Sequence, residues 1–139
     1  KMSKSENNDT GRVTLMDSPD VIMKQFKRAI TDSDTERCVR YDPENKPGVA
    51  NLMNIYAAAT GKAFEEIEQE FDGMGYGKFK PAVGEAVVEM VRPIQEEARR
   101  ILSDKAYLES VYRAGAEKAS YAAEKTLRKV YKKLGFVAR

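Results

Sequence analysis

From Val83 to Leu102 the apolar residues Val83, Val87, Met90, Val91, Ile94, Ala98, Ile101 and Leu102 recur at three- and four-residue spacing. That is the period of one face of an α-helix; a strand with this pattern would split the set between its two faces. Asp104 then caps a further helix carrying Leu108 and Val111, and the stripe runs on through Ala116, Ala119, Ala123, Leu127, Val130 and Leu134 until Gly135 stops it. Pro93 removes a backbone donor inside the first segment and predicts a kink. Gly115 predicts a break or a close helix contact in the second.

The upstream half reads the same way. Ser18 followed by Pro19 and Asp20 is a helix start, and Ile22, Phe26, Ala29 and Ile30 share a face, so this helix should end near Ile30–Thr31. Val49, Leu52, Met53, Tyr56 and Ala57 carry a second helix that Thr60-Gly61 terminates, and Phe64, Ile67 and Phe71 a third. Gly73-Met74-Gly75-Tyr76-Gly77 reads as a connector before a helix that begins after Pro81. Arg12–Met16 reads as a short extended stretch or the end of a strand, and Asn7–Gly11 as a turn. The expected fold is all-α: a bundle of five or six helices over residues 17–139, preceded by a mobile N-terminal arm over residues 1–16.

Composition narrows the chemistry. A chain of 139 residues, 42% apolar, supports one domain with its own core. Its longest clean apolar run, Ile55–Ala59, cannot span a bilayer, and no secretory signal is present, so the expected compartment is the cytoplasm and no membrane partner is expected. There is no histidine and a single cysteine, Cys38. Histidine-based acid–base or triad chemistry, an internal disulfide and most zinc sites are thereby excluded. The acidic face of the third helix, with Glu65, Glu66, Glu68, Glu70 and Asp72, reads as a solvated surface rather than a metal site. The chain opens on Lys1 rather than Met, so it reads as part of a longer one.

Charge is unevenly distributed. Residues 113–139 carry a net +6, with Arg113, Lys118, Lys125, Arg128, Lys129, Lys132, Lys133 and Arg139 against Glu117 and Glu124, while the other 112 residues carry −4. A basic helix face with Tyr121 and Tyr131 among its cations suits a polyanion such as nucleic acid. Cations near a helix C-terminus also suit the macrodipole with no partner at all, and on charge alone both readings stand. The irregular stretch from Thr31 to Gly48 is long enough to have a task, either as a connector or as a packing surface.

The first five residues, Lys1-Met2-Ser3-Lys4-Ser5, set two ammonium groups beside two hydroxyls, a combination suited to polyphosphate. Five residues are weak alone. Together with Thr31-Asp32-Ser33-Asp34, the block Arg40–Val49, Asn51-Leu52, Gly75-Tyr76-Gly77, Phe79-Lys80, Arg92-Pro93-Ile94-Gln95 and Gly115-Ala116-Glu117-Lys118-Ala119, the chain resembles, along essentially its whole length, the C-terminal portion of bacterial tryptophanyl-tRNA synthetases. KMSKS is that family's second ATP signature.

The resemblance implies a parent tryptophan–tRNA ligase that activates tryptophan with ATP, Mg²⁺ accompanying the nucleotide, and charges its tRNA. It assigns ATP binding to Lys1, Met2, Ser3, Lys4 and Ser5, with Lys4, assisted by Lys1, stabilising charge as pyrophosphate leaves. It makes residues 17–139 an anticodon-binding type of domain, with Arg113, Lys118, Lys125, Arg128, Lys129, Lys132 and Lys133 against tRNA. It implies no protein-bound metal in this chain, a catalytic half upstream of Lys1, a homodimeric parent, and no ligase activity in this piece alone. The alternative is a non-catalytic helical module that binds RNA or another protein.

Overall fold

The computed structural model describes residues 11–34 and 39–137. Among them the chain is all-α, with helices α1 Pro19–Arg28, α2 Pro47–Thr60, α3 Phe64–Glu70, α4 Tyr76–Ser103 and α5 Lys105–Leu134. The pentapeptide Lys1–Ser5, the first ten residues of the arm expected over 1–16, most of the Asn7–Gly11 turn and Cys38 lie outside the described residues, while residues 14–16 of that arm are tied into a turn rather than mobile. The chain forms two compact units, Lys1–Gln95 and Glu96–Arg139, so the division falls inside α4.

In the first unit, local chemistry sets the helix ends. The Ser18 side chain accepts from the Val21 N–H at 3.4 Å, with Pro19 at the first helical position. α1 ends at Arg28, short of the expected Ile30: Ala29 has already turned to ψ 137°, and Ile30 is 88% exposed rather than on the core face. Gly48 opens α2 where any Cβ would collide with the Ile30 carbonyl oxygen, so the close approach of these segments requires glycine. Gly61, at φ 76°, closes α2 and donates its N–H to the Ala57 carbonyl. Glu66 reaches back to the Ala63 N–H at 2.9 Å and caps α3.

Two expectations need correction here. Arg12–Met16 is no strand; it leads into a turn closed by the Asp17 N–H on the Thr14 carbonyl, because no neighbouring strand offers it a ladder. α4 begins at Tyr76 and runs through Pro81, so the glycine-rich connector ends at Gly75.

One core holds this unit together. α1 contributes Ile22 and Phe26, α2 Val49, Leu52, Met53 and Tyr56, α3 Ile67, and α4 Phe79, Val83, Val87 and Val91, while Phe71 and Val39 join from the connections. Tyr56, Phe71 and Phe79 meet edge to face, with centroids 5.0 to 6.2 Å apart. That geometry sets the positive ring edges against negative faces. Burying side chains such as Phe79 or Ile22 contributes about 1.5–3 kcal/mol each relative to leaving them exposed.

The second unit differs. Asp104 caps α5 by accepting from the Tyr107 N–H at 2.9 Å, and Gly135, at φ 73°, ends it. Gly115 breaks nothing: α5 continues through it for 30 residues, since one glycine costs only about 1 kcal/mol in a helix with good formers around it. No residue of α5 is buried, and Val111, Leu127, Val130 and Leu134 are 40 to 62% exposed.

Candidate functional site

The described chain begins at Gly11, six residues after the pentapeptide Lys1–Ser5. Here the backbone is pinned by side chains. The Asp17 carboxylate accepts from the Thr14 N–H at 2.8 Å and from its hydroxyl at 2.6 Å, and these two bonds hold its carboxyl below the usual range. From α4, the buried Gln95 side-chain amide donates to the carbonyls of Leu15 at 2.8 Å and Asp17 at 3.0 Å. Beside this turn lies a largely apolar cavity of about 740 Å³, with Val13, Phe26, Ile30, Leu52, Val87 and Met90 among its walls.

The described part of the Thr31–Gly48 loop is tied to its own unit. Tyr41 stacks on Phe64 with centroids 4.0 Å apart, and its N–H donates to Glu68 at 2.8 Å. The Lys46 ammonium, on a residue only 7% exposed, donates to Asp34 at 2.7 Å and to Asp32 and the Tyr76 hydroxyl at 3.4 Å. Tyr76 in turn donates to Asp32 at 2.7 Å, joining the loop to the first residue of α4. Burial works against the Asp32 carboxylate, but the Tyr76 hydroxyl, the Asp34 N–H and Lys46 outweigh it and leave its pKa lowered. Burial and the bond to Asp32 push the Tyr76 phenol up to about 12. Lys46 stands above the usual lysine range, its desolvation overcome by Asp34 and Tyr76.

Three of the four acidic residues of α3 have structural partners as well. Glu66 caps the helix, Glu68 holds Tyr41, and Glu70 pairs with Lys62 at 2.7 Å. Among the described residues no group of metal-ligating side chains comes together.

α5 sorts the predicted basic residues. Lys118, Lys125, Lys129 and Lys132 follow one another at intervals of seven, four and three on a continuous helix, which places them on one face. Arg128 and Lys133 flank that face, and from Lys118 to Lys133 it extends about 22 Å at the helical rise. All of these cations are exposed. Arg113 lies well around the helix and pairs with Glu109 at 2.7 Å; Arg128 reaches Glu124 at 3.3 Å. Of the two tyrosines, Tyr121 is 74% exposed near the basic face, whereas Tyr131 packs edge-on against Phe136 at 5.9 Å.

Residue spacing did not flag Gln95, Lys46, Asp32 or Tyr76 as partners. Their only sequence signal is that each sits inside one of the stretches carrying the family resemblance.

Comparison with known proteins follows the same lines. The sequence profile described as tRNA synthetases class I (W and Y) matches residues 1–92. The tryptophan–tRNA ligase of Clostridium tetani is 53% identical over 137 residues, covering 99% of this chain and 40% of that protein. The corresponding ligase of Clostridium perfringens is 49% identical over 139 residues, 100% of this chain and 41% of that protein. Among solved structures, the tryptophanyl-tRNA synthetase of Mycoplasma pneumoniae aligns with a TM-score of 0.66 at 28% identity, over 98% of this chain and 41% of its own. This chain thus spans about two-fifths of the length of the relatives it matches, and no helix among the described residues is long and apolar enough to cross a membrane. With most of its length matched by the profile and both halves matched by the relatives, the chain belongs to the class I tRNA synthetases of the tryptophan and tyrosine group.

Proposed function

We propose that this chain is the C-terminal portion of a tryptophan–tRNA ligase, which activates tryptophan with Mg²⁺-bound ATP and transfers it to its tRNA. The observation that carries this reading is the 53% identity to a tryptophan–tRNA ligase over nearly the whole chain. Residues 1–16 close the catalytic part and residues 17–139 form the tRNA-binding part. Lys4, with Lys1, neutralises the negative charge that develops on the phosphates as pyrophosphate leaves; Met2, Ser3 and Ser5 complete the nucleotide contacts. Donors positioned where charge develops lower the barrier more than donors that bind the ground state equally well. No covalent intermediate with the protein is required, because carboxylate and α-phosphate react directly once aligned.

The exposed cations of α5 supply the tRNA contact. Lys118, Lys125, Arg128, Lys129, Lys132 and Lys133 reach phosphates, giving affinity that falls with salt and carries no base preference of its own. Arg113 joins them only by giving up Glu109. The nucleotide fold and tryptophan pocket belong to the part of the relatives this chain does not span, so the chain alone is inactive; the complete protein works as a cytoplasmic homodimer.

The test is tryptophan-dependent ATP–pyrophosphate exchange by this chain combined with the separately made upstream portion, with tyrosine as control. Exchange needs both parts, prefers tryptophan, and falls about 100-fold or more with Lys4→Ala, the scale of losing one charge-stabilising donor. Undiminished exchange with Lys4→Ala contradicts the phosphate role. Silence from parts shown to bind each other favours a non-catalytic RNA-binding module.

A further inference from the structure

Tyr107, Tyr112 and Tyr121 of α5 all face water, and Tyr121 is the most open of them at 74%. Among these three, Tyr121 alone has a lysine one helical turn away on each side, Lys118 three residues before it and Lys125 four residues after. It lies within about 60° of both around the helix, at the edge of the row formed by Lys118, Lys125, Lys129 and Lys132. Tyr112, by contrast, stands on the apolar side of α5, in line with Val130. Other rings of the chain are occupied by the fold. Tyr41 stacks on Phe64, Tyr56 meets Phe71 edge to face, and Tyr131 packs against Phe136. The Lys62 and Lys80 ammonium groups sit over Tyr56 and Tyr76, 5.7 and 5.8 Å from the ring centroids. Among the described residues Tyr121 has no such contact: no ring packs on it, no ammonium covers it, and its hydroxyl bonds to no protein group.

We infer that Tyr121 is a stacking platform for an unpaired base of the RNA held on the basic face of α5. The inference rests on the proposed tRNA contact of that face. The four lysines form a straight row about 21 Å long on one continuous helix, which follows the phosphates of a single strand. Glu117 and Glu124 border Tyr121 on the side away from the lysines, and Arg128 holds Glu124 at 3.3 Å. Their carboxylates repel phosphate, so the backbone stays on the lysine row while an uncharged base lies over the ring. Bases inside a duplex are stacked on one another and offer the ring no face; those of a single-stranded loop do. Every base has such a face, so Tyr121 adds affinity without choosing among bases. Its contribution also differs in kind from that of the lysines, which falls with salt.

The experiment compares native protein, Tyr121→Leu and Tyr121→Phe in the full-length protein that carries this chain. Equilibrium binding is measured across a salt series to a tryptophan tRNA transcript and to an RNA duplex without unpaired bases, with thermal melting alongside. Tyr121→Leu keeps apolar bulk and removes the ring; it is expected to weaken tRNA binding about tenfold, the scale of one base–aromatic stack. Its salt slope, its melting temperature and its affinity for the duplex should match those of the native protein. Tyr121→Phe keeps the ring and should bind the tRNA within about twofold of native. Native affinity for tRNA in Tyr121→Leu overturns the inference, as does an equal loss in Tyr121→Phe, an equal loss on the duplex, or a lowered melting temperature. A variant with all four lysines changed to glutamine separates the two levels. If it binds tRNA as tightly as native, the proposed contact of α5 falls and the inference with it. If it binds weakly while Tyr121→Leu binds normally, only the inference falls.

Discussion

Phe79 and Leu127 are both large apolar residues at helical spacing, on the two longest helices of the chain. Phe79 is fully buried within an aromatic triad, whereas Leu127 is 49% exposed on a helix with no buried residue. The two units treat polar groups differently as well. In the first, Lys46, Asp32, Tyr76 and Gln95 are locked into bonds that join distant parts of the chain. In the second, Arg113 and Arg128 pair with Glu109 and Glu124, four residues back on the same helix, and the lysines stay exposed. The first unit thus has the features of a rigid anchor. The second presents charge to solvent, and exposed cations hold ordered structure weakly but meet a polyanion readily.

The contrast predicts a graded series of effects. Phe79→Ala should cost the most, about 4 kcal/mol by urea unfolding, because it leaves a cavity between Tyr56 and Phe71. A loss under about 1 kcal/mol would erase the distinction between the units. Lys46→Met should cost about 2 kcal/mol, below the figure for a wholly buried pair because Asp32 and Asp34 remain partly open to water. It should also raise proteolytic cutting within the Thr31–Gly48 loop.

Tyr76→Phe should cost about 1 kcal/mol at neutral pH, the net worth of a hydrogen bond. Its pH dependence has a defined sign. Tyrosine in the unfolded chain titrates near 10, and Tyr76 in the folded chain at about 12, so protonated Tyr76 favours folding. That contribution is complete below pH 10 and disappears as the pH climbs through 12. The stability gap between the native chain and Tyr76→Phe should therefore narrow over this window. The lowered Asp32 carboxyl acts at the other end: its contribution is present above about pH 4 and lost as the pH falls through its folded value. A gap that stays constant from pH 9 to 12 would place the Tyr76 bond elsewhere. Smallest of all, Leu127→Ala should change stability by less than about 0.5 kcal/mol, and a larger loss would mean that α5 is covered after all.

Much of the fold was legible because helix periodicity and end signals are local. Ser18-Pro19, Thr60-Gly61, Asp104 and Gly135 mark boundaries that the structure repeats. Periodicity identifies a face but not what covers it: Val83, Val87 and Val91 are buried, whereas Ile94 and Leu102 in the same stripe are 50 and 61% exposed. Gly115 misled for a related reason, since a breaker acts against the propensity of a whole helix and loses when its neighbours, here Arg113, Ala114, Ala116, Glu117 and Lys118, are strong formers. The basic face of α5 was legible as charge, and only the continuous helix separates Lys118, Lys125, Lys129 and Lys132 from Arg113. Gln95 and Lys46 were illegible as partners, because their bonds span 12 to 80 residues and no spacing rule reaches that far.

The division of labour between the units is tested most directly by tRNA binding across a salt series, using the full-length protein with Lys118, Lys125, Lys129 and Lys132 as they stand or all changed to glutamine. The variant is predicted to bind more weakly and to melt at an unchanged temperature. Its salt dependence should be shallower by about 0.9 in log–log slope for each phosphate it no longer neutralises. Equal affinity and slope for the two proteins, or a melting temperature that falls with the binding, would contradict this division.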